Sequence, residues 1–246
     1  MFIANWKMNG SEPMVSSWLE GVNKTLDKNI QSECIFCPPA CFLSQASHII
    51  KKEELGIHLG AQDIDPNFTS SLTGGIGGFM LKELGCDYVI IGHSERREIF
   101  KEGSSLLLEK LKSASLENMK IIFCIGESLE EKEKGQTLDS IKKQLEIIFQ
   151  VPLNGIMIAY EPIWAIGSGQ TANVEYIKEV HNKIIEEVEP LGKKNFLGVA
   201  YGGSVDSSSA KEILFLKEVK GLLIGGASLE HKEFSNIAMT VKENQG

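Results

Sequence analysis

Eight short apolar runs recur along this chain, and the stretches between them are amphipathic. Each run is predominantly apolar and rich in isoleucine, valine or phenylalanine, which is typical of strands that are buried on both faces of a parallel sheet. The runs span residues 2–5, 34–37, 57–61, 88–92, 120–125, 156–160, 196–201 and 221–225. The pattern therefore predicts alternating strands and helices around a parallel sheet.

The stretches between the runs have helical spacing. In 173–188 the apolar residues stand at 174, 177, 180, 184, 185 and 188, which is one stripe of a helix, and Asn173 is placed to cap it. In 137–149 the stripe consists of residues 138, 141, 145 and 148, and Thr137 is the predicted cap. Leu107, Leu111 and Ala114 indicate another helix. Each stripe gives its helix one face to bury against the sheet.

Eight strand–helix units in 246 residues match the size of a (β/α)8 barrel, which is typically about 250 residues. An open, doubly wound sheet is the alternative, and it usually carries a G-x-G-x-x-G sequence after its first strand. Here the first run ends in Asn5-Trp6-Lys7, and that fingerprint occurs nowhere in the chain. No linker, low-complexity segment or sequence repeat divides the chain. We predict an α/β fold, a (β/α)8 barrel of eight parallel strands ringed by helices, with residues 1–246 forming a single domain.

Composition and charge exclude several classes of function. The net charge is −8 and no block of lysine or arginine rises above the general mixture, so nucleic acid is not an expected partner. No run approaches the roughly 18 apolar residues of a membrane span, and no signal peptide is visible at the amino terminus. Cys34 and Cys37 form a CxxC inside an apolar run, which would turn their thiols to opposite faces and argues against a zinc or redox site. We expect a cytoplasmic enzyme with no membrane contact.

Polar residues and glycine pairs follow the runs, and in such a barrel the carboxyl ends of the strands form the active site. Asn5 and Lys7 follow the first run, His93 and Glu95 the fourth, and Glu161 the sixth. Glycine pairs follow the seventh and eighth runs, where barrels commonly bind phosphate through backbone N–H groups. A desolvated carboxylate is a stronger base, and a lysine near a carbonyl oxygen stabilises developing negative charge. This set predicts acid–base chemistry on a phosphorylated substrate.

Each of these residues has a simpler explanation when it is considered alone. A carboxylate or an ammonium is usually solvated surface, a histidine is often structural, and a glycine pair often only turns the chain. Ser204 could cap a helix, and Glu95 with Arg96 and Arg97 could form a structural ion-pair cluster. Their joint occurrence at successive strand ends favours the functional interpretation.

Five longer segments at these strand ends resemble the motifs of the triosephosphate isomerases. They are NWKMN at 5–9, IGHSERR at 91–97, AYEPIWAIG at 159–167, YGGSV at 201–205 and GGASL at 225–229. GAQD at 60–63 and CIGE at 124–127 also fit, and the motifs occur in the family's order over essentially the whole chain. The resemblance implies a TIM barrel that interconverts D-glyceraldehyde 3-phosphate and dihydroxyacetone phosphate without a cofactor.

The resemblance also implies a role for each site residue. Glu161 would move a proton between neighbouring carbons through an enediolate. His93 would polarise the carbonyl as a neutral imidazole, kept neutral by the helix N-terminus that follows it. Lys7 would bind the substrate anion and stabilise the enediolate, and Asn5 would hydrogen-bond a substrate oxygen. Glu95 would orient the site.

For the phosphate group, the resemblance implies two glycine-rich loops and a moving lid. Ser204, Gly225 and Gly226 would contact the phosphate, and residues 162–172 would close over the substrate and exclude water. In the closed state Gly167 would donate its backbone N–H to the phosphate. No metal is expected, because the remaining histidines show no metal-binding spacing.

The third loop departs from the family pattern. The family usually has a Thr-Gly-Glu sequence that reaches into a partner subunit, whereas Thr73 and Gly74 are followed here by Gly75. The carboxylate that would pair with Arg96 across the interface is then missing. The resemblance therefore implies a homodimer, with Thr73 reaching the partner's site, that is weaker or differently paired.

Two other functions stay open. A different barrel enzyme acting on another sugar phosphate would use the same phosphate loops, but it should lack the combination of Lys7, His93 and Glu161. A non-catalytic binding protein on the same fold should have lost a chemical residue, and none is missing from this set.

Overall fold

The predicted strands close into a parallel barrel in the computed structural model, which describes residues 1–66, 72–166, 172–192 and 195–243. The strands are β1 (Phe2–Asn5), β2 (Cys34–Cys37), β3 (His58–Ala61), β4 (Cys86–Ile91), β5 (Lys120–Ile125), β6 (Ile156–Tyr160), β7 (Phe196–Tyr201) and β8 (Val219–Ile224). They pair in chain order, and β1 pairs with both β2 and β8, which closes the barrel. The predicted (β/α)8 architecture is confirmed.

Two strands begin earlier than the apolar runs predict. β4 begins at Cys86 rather than at residue 88, and β8 begins at Val219 rather than at residue 221. In both strands the second residue, Asp87 or Lys220, is exposed while its neighbours are buried. One face of the strand therefore reaches solvent at this end of the barrel, and the apolar run is interrupted there.

Helices connect the strands and surround the barrel. In the described part of the chain they are α1 (Glu12–Thr25), α2 (Lys28–Gln31), α3 (Leu43–Lys52), α4 (Gly78–Glu83), α5 (Ser94–Ile99), α6 (Ser104–Leu116), α7 (Leu129–Glu133), α8 (Thr137–Leu145), α9 (Val174–Val188), α10 (Ser207–Leu214) and α11 (His231–Glu243). Within these ranges no helix has the length and apolar content that crossing a membrane requires.

The strand side chains divide between two apolar layers, because successive residues of a strand point to opposite faces. Along β6, Met157 and Ala159 belong to the layer inside the barrel, whereas Ile156, Ile158 and Tyr160 belong to the layer that packs against the helices. Both faces of the strand are thus buried, which explains why it reads as an unbroken apolar run.

The two cysteines of the CxxC lie in different layers, as predicted. Cys34 belongs to the layer under the helices and Cys37 to the barrel interior, and both are buried free thiols. Burial raises the pKa of Cys34 to about 12, so this residue is a neutral thiol at physiological pH.

One predicted helix cap is confirmed and another is wrong. Asn173 caps α9, because its side chain accepts a hydrogen bond from the Tyr176 N–H at 2.8 Å. Thr137 is instead the first helical residue of α8, and Gln136 precedes it without a side-chain cap. The Thr137 hydroxyl lies 3.1 Å from the Tyr176 hydroxyl, a partner 39 residues away that local pattern does not reveal. The helix also ends before the predicted residue 149, and a 3-10 helix follows it.

His181 on α9 is fully buried beside two tyrosines of the barrel. Its ring centroid lies 5.8 Å from that of Tyr160 and 6.4 Å from that of Tyr201, and its Nδ1 lies 3.4 Å from the Glu218 carbonyl oxygen. Burial lowers the pKa of His181 to about 4, and the contact with the Glu218 carbonyl opposes this only in part. The residue is therefore neutral in the folded protein at pH values where a solvated histidine is charged.

We expect acid to destabilise the protein through His181. The folded pKa lies below the ordinary value of 6.5, so the contribution is fully present above pH 6.5 and is lost by about pH 4, as the unfolded chain takes up a proton first. Between pH 7 and pH 5 this amounts to about 2 kcal/mol of the free energy of unfolding. His181→Asn keeps a donor for the Glu218 carbonyl and does not titrate, so urea unfolding of this variant should depend less on pH. His48→Asn, at an exposed position, is the control, and equal pH dependence in all three proteins would contradict the prediction.

Candidate active site

The carboxyl ends of five strands meet around a cavity of about 240 Å³. Its lining contains seven of the residues that the sequence predicts for the site: Asn5, Lys7, His93, Glu161, Ser204, Gly225 and Gly226. Glu95 lies beside them as the salt-bridge partner of the lysine. Gly167, the remaining predicted residue, lies outside the described residues.

Glu161 follows β6 directly and has only 2% of its surface exposed. Its backbone N–H donates to the Ile125 carbonyl at 2.7 Å, which places it beside the end of β5. Gly126 has to be a glycine, because a Cβ at that position would overlap the Glu161 carbonyl oxygen. One carboxylate oxygen accepts the Ser94 N–H at 3.0 Å, and the other lies 3.0 Å from His93 Nε2. A carboxylate and an imidazole are thus in direct contact within the cavity.

Opposing effects set the charge state of Glu161. Burial raises the pKa of the carboxyl, as the sequence predicts. In this conformation the contact with His93 and the hydrogen bond from the Ser94 N–H outweigh burial and hold the pKa below its ordinary value. Glu161 is therefore an ionised, weakly basic carboxylate while it keeps these partners.

His93 is the N-cap of α5, and its Nδ1 accepts a hydrogen bond from the Glu95 N–H at 3.3 Å. A nitrogen that accepts carries no proton, so the hydrogen-bond network assigns the ring proton to Nε2, which faces Glu161. Burial lowers the pKa of His93, but the charge and hydrogen bond of Glu161 outweigh burial and raise it. This raising effect comes chiefly from Glu161, so burial favours a neutral imidazole once that carboxylate moves away.

Lys7 has a left-handed backbone with φ of 51°, which costs a non-glycine residue about 1 kcal/mol. Two side chains hold it there: Asn5 Oδ1 accepts the Lys7 N–H at 3.1 Å, and Gln62 Nε2 donates to the Lys7 carbonyl at 2.9 Å. The ammonium lies 2.7 Å from a carboxylate oxygen of Glu95. The lysine therefore brings a positive charge to the cavity of a protein whose net charge is −8.

Gln62 and Arg97 also support the site, although their positions in the motifs gave them no role. Gln62 Nε2 donates to the carbonyls of Lys7 and Cys37, both at 2.9 Å, and so ties the segment after β1 to the end of β2. Arg97 donates to one carbonyl after β4 and one in β5, at 2.7 and 2.8 Å. Gln62 directly follows β3, so its place at a strand end is a signal that could have found it. Arg97 lies inside α5 and gives no such signal.

The glycine-rich segments after β7 and β8 form another wall of the cavity. The Ser204 hydroxyl donates to the Ala165 carbonyl at 2.8 Å, so in this conformation it binds the start of the predicted lid. A Cβ at Gly225 would lie 3.5 Å from Lys7 Cε, whereas a Cβ at Gly226 would meet no atom within 4 Å. An anion in this part of the cavity would therefore lie close to both the glycine backbone and the lysine.

The described beginning of the predicted lid is held by a buried carboxylate. Glu127 is fully buried and accepts hydrogen bonds from Trp164 Nε1 at 2.8 Å and from two tyrosine hydroxyls at 2.9 and 3.0 Å. The Lys132 ammonium lies 3.2 Å from the centroid of the Trp164 ring. Residues 167–171, which continue the predicted lid, lie outside the described residues.

The groups in the cavity are suited to moving protons on an anionic substrate. A carboxylate such as Glu161 can accept a proton, an imidazole N–H such as that of His93 can donate to a carbonyl oxygen, and an ammonium such as that of Lys7 can stabilise negative charge. Over the described ranges, no group of three or more histidine, cysteine, aspartate or glutamate side chains is placed to hold a metal ion.

Comparisons with known proteins point to the same chemistry. The family model described as triosephosphate isomerase matches residues 1–241. A curated triosephosphate isomerase of Nitrosococcus oceani is 39% identical over 243 residues, which cover 96% of each chain. Curated triosephosphate isomerases of Buchnera aphidicola subsp. Cinara cedri and Psychromonas ingrahamii are 38% and 35% identical, again with 96% of each chain covered.

Proposed function

The chain belongs to the triosephosphate isomerase family, and we propose that Glu161, His93 and Lys7 carry out the family's reaction in it. It is an enzyme that interconverts D-glyceraldehyde 3-phosphate and dihydroxyacetone phosphate. The observation that most directly supports the assignment of residues is that these three side chains line one cavity at the strand ends.

In the proposed mechanism the substrate separates Glu161 from His93. The substrate carbonyl oxygen accepts the His93 Nε2–H that now faces Glu161, and the freed carboxylate turns to the carbon next to the carbonyl. When the carboxylate leaves His93 and the Ser94 N–H, it loses the contacts that hold the Glu161 pKa down. Burial, which raises that pKa, remains. The movement onto the substrate therefore makes the carboxylate a stronger base.

Glu161 then removes a proton from the carbon next to the carbonyl and returns it to the former carbonyl carbon. The electron pair of the broken C–H bond forms the C=C bond of the enediolate, and the carbonyl oxygen takes up the negative charge. Neutral His93 donates to that oxygen and shuttles protons between the two oxygens. Lys7 stabilises the negative charge, Asn5 fixes the lysine backbone and hydrogen-bonds the substrate, and Glu95 orients the ammonium at 2.7 Å.

The substrate phosphate binds in this proposal against Ser204, Gly225 and Gly226, with Lys7 beside it. The Ser204 hydroxyl now donates to the lid segment, so it reaches the phosphate only when that segment moves. Residues 162–172 form the lid, with the N–H of Gly167 on the phosphate when the lid is closed. Closure excludes water and keeps the enediolate from eliminating its phosphate.

A coupled assay of D-glyceraldehyde 3-phosphate conversion, with Lys7→Met beside the wild type, tests the proposed function. We expect fast turnover by the wild type and a loss of about 10²- to 10³-fold in kcat/KM in the variant, because the positive charge at the enediolate is removed. Methionine keeps most of the side-chain length, so packing changes little. Lys24→Met is the matched control, since it removes the same charge from an exposed helical position.

The outcomes separate the function from the role of the lysine. No turnover by a well-folded wild type would move the assignment to another sugar phosphate or to a non-catalytic binding role. Equal turnover by Lys7→Met and Lys24→Met would keep the function and reject the proposed role of Lys7.

We further propose that the chain forms a homodimer through the surface next to the active site. A second cavity, of about 930 Å³, extends from Lys7 and Glu95. Met8, Ile99 and Phe100 line it and are 96%, 69% and 63% exposed. Apolar side chains that gather around a cavity are typical of a protein–protein contact, and the Thr73 loop of a second copy is the occupant that the family resemblance implies.

The glycine at position 75 changes how this surface is held together. Arg96 pairs within its own chain with Asp63 at 2.8 Å and with Glu102 at 2.6 Å, so it does not depend on a carboxylate from a partner. Without an ion pair from residue 75, the proposed dimer depends on the apolar contact and on the reach of Thr73. We therefore propose a dimer that is weaker than one with a glutamate at Gly75.

Sedimentation should show a dimer at micromolar and dissociation at nanomolar concentrations. Ile99→Asp should give a monomer at micromolar concentration, because it places a charge in the apolar surface without disturbing the core. Phe215→Asp is the matched control, since Phe215 is 64% exposed and follows α10 on another part of the barrel. A stable wild-type monomer with full activity would remove the proposal.

We propose a single catalytic domain over residues 1–246 that works in the cytoplasm without a cofactor and binds neither nucleic acid nor membrane. The net charge of −8 supports the lack of nucleic-acid binding, and the closed barrel formed by the described residues supports the single domain.

A further inference from the structure

Two tryptophan side chains from different elements donate to the same backbone carbonyl. The indole N–H groups of Trp6, just after β1, and Trp18, on α1, lie 3.1 and 2.8 Å from the Ser228 carbonyl oxygen. All three residues are buried, with at most 2% of their surface exposed. A carbonyl oxygen has two lone pairs, so these two donors saturate it.

Ser228 belongs to the turn that forms the cavity wall after β8, within the 3-10 helix Gly226–Leu229. Its N–H and its hydroxyl both donate to the Gly225 carbonyl, at 2.9 and 2.6 Å. The N–H and the hydroxyl thus close the turn, and the carbonyl ties it to the tryptophans. Gly225, Gly226 and Ala227 are the residues that this turn presents to the cavity.

The tryptophans lie in an aromatic cluster that restricts their movement. Trp18 stacks on Phe36 of β2 with ring centroids 4.5 Å apart, and it packs on Phe234 of α11 at 5.1 Å. Trp6 packs on Phe36 at 4.9 Å and immediately precedes Lys7 in the chain. The same cluster therefore holds the glycine turn and the segment that carries the lysine.

We propose that Trp18 is a positioning residue for the phosphate-binding turn. Together with Trp6, it holds the Ser228 carbonyl and thereby the backbone of Gly225 and Gly226 in the place where the phosphate binds. Trp18 does not line the cavity, so it acts through Ser228 and does not touch the substrate. The inference rests on the proposed function, which puts the substrate phosphate at this turn.

Trp18→Phe tests the proposal, because it keeps an aromatic ring in the cluster and removes the N–H donor. Inorganic phosphate probes the turn, and D-glyceraldehyde, which lacks the phosphate group, probes proton transfer without it. We expect the inhibition constant of phosphate to rise and kcat/KM for D-glyceraldehyde 3-phosphate to fall, each by about 3- to 10-fold, which is the effect of one hydrogen bond. Turnover of D-glyceraldehyde should stay unchanged. Trp6→Phe, which removes the other donor, should act in the same direction and is the second variant if the first does not fold.

Two further variants separate positioning from packing and from the phosphate site itself. Phe234→Leu disturbs the packing of Trp18 but leaves its N–H on Ser228, so an equal loss of phosphate binding in Phe234→Leu would overturn the proposal. An equal fall in turnover of both substrates in Trp18→Phe would overturn it as well. Gly226→Ala puts a methyl group into the open space beside the turn and should weaken phosphate inhibition.

The Gly226 variant distinguishes the proposed phosphate site from the proposed role of Trp18. If Gly226→Ala weakens phosphate inhibition and Trp18→Phe does not, the positioning role of Trp18 is wrong while the proposed phosphate site stands. If Gly226→Ala has no effect, phosphate does not bind at this turn, and both the proposed phosphate site and the role of Trp18 are wrong.

Discussion

Replacing Glu161 by glutamine is expected to lower kcat/KM for D-glyceraldehyde 3-phosphate by about 10³- to 10⁴-fold. Glutamine has nearly the shape of glutamate, but its amide does not take a proton from carbon. Glutamine also keeps only one of the two contacts that the Glu161 carboxylate makes. Its single oxygen accepts from either the Ser94 N–H or His93 Nε2, and its NH2 group then faces the other donor. We therefore expect a modest loss of stability beside a large loss of activity.

The coupled assay and an exchange experiment in D2O together measure this prediction. The wild type should place solvent deuterium on carbon as it converts the substrate, and Glu161→Gln should do so at a correspondingly low rate. Glu218→Gln is the matched control, because Glu218 is also buried, with 4% of its surface exposed, and it does not line the cavity. Full turnover by Glu161→Gln would keep the function and reject the assignment of the base.

The barrel could be predicted from the sequence because burial on both faces removes polar residues from the strands. The carboxyl ends of the strands agree with the apolar runs to within a residue. The opposite ends of β4 and β8 do not, since exposed Asp87 and Lys220 interrupt the runs there. The apolar pattern therefore locates the carboxyl ends of the strands, which carry the candidate site, more reliably than it locates their amino ends.

The gathering of Lys7, His93 and Glu161 around one cavity could also be predicted, because the barrel brings successive strand ends together. The contacts that hold these side chains in place could not be predicted, since they join residues that are far apart in the chain. The bond from Trp18 to Ser228 spans 210 residues, and nothing in the spacing of either segment indicates it. The lowered pKa of Glu161 likewise depends on a 3.0 Å contact with His93, whereas the sequence indicates only that the carboxylate is desolvated.

The second large effect is expected in stability, at a lysine that is buried. Lys110 on α6 has 1% of its surface exposed, and its ammonium lies 2.7 Å from oxygens of both Asp63 and Glu102. Arg96 binds the same two carboxylates at 2.8 and 2.6 Å. Burial raises the pKa of Glu102, but Arg96 and Lys110 outweigh it and hold the pKa below its ordinary value. Two cations and two carboxylates thus balance each other in a cluster whose Lys110 and Glu102 side chains are almost fully buried.

Lys110→Met is expected to lower the free energy of unfolding by about 3–5 kcal/mol at pH 7, because it leaves one buried carboxylate without its compensating charge. Burial already raises the pKa of Asp63, against the effect of Lys110, so removing the lysine raises it further. A carboxyl whose pKa is raised in the folded state binds a proton more readily there than in the unfolded chain. The loss in free energy of unfolding of the variant should therefore shrink as the pH falls from 7 to 5.

Urea unfolding of the wild type and Lys110→Met at both pH values measures this second effect. Asp63→Asn in the Lys110→Met background restores the balance of charge. The free energy of unfolding should therefore fall less in the double variant than the sum of its falls in the two single variants. A loss below about 1 kcal/mol with no dependence on pH would mean that the cluster behaves as an exposed ion pair does, screened by water. The large, acid-relieved loss follows only if Lys110 neutralises carboxylates that are mostly shielded from water.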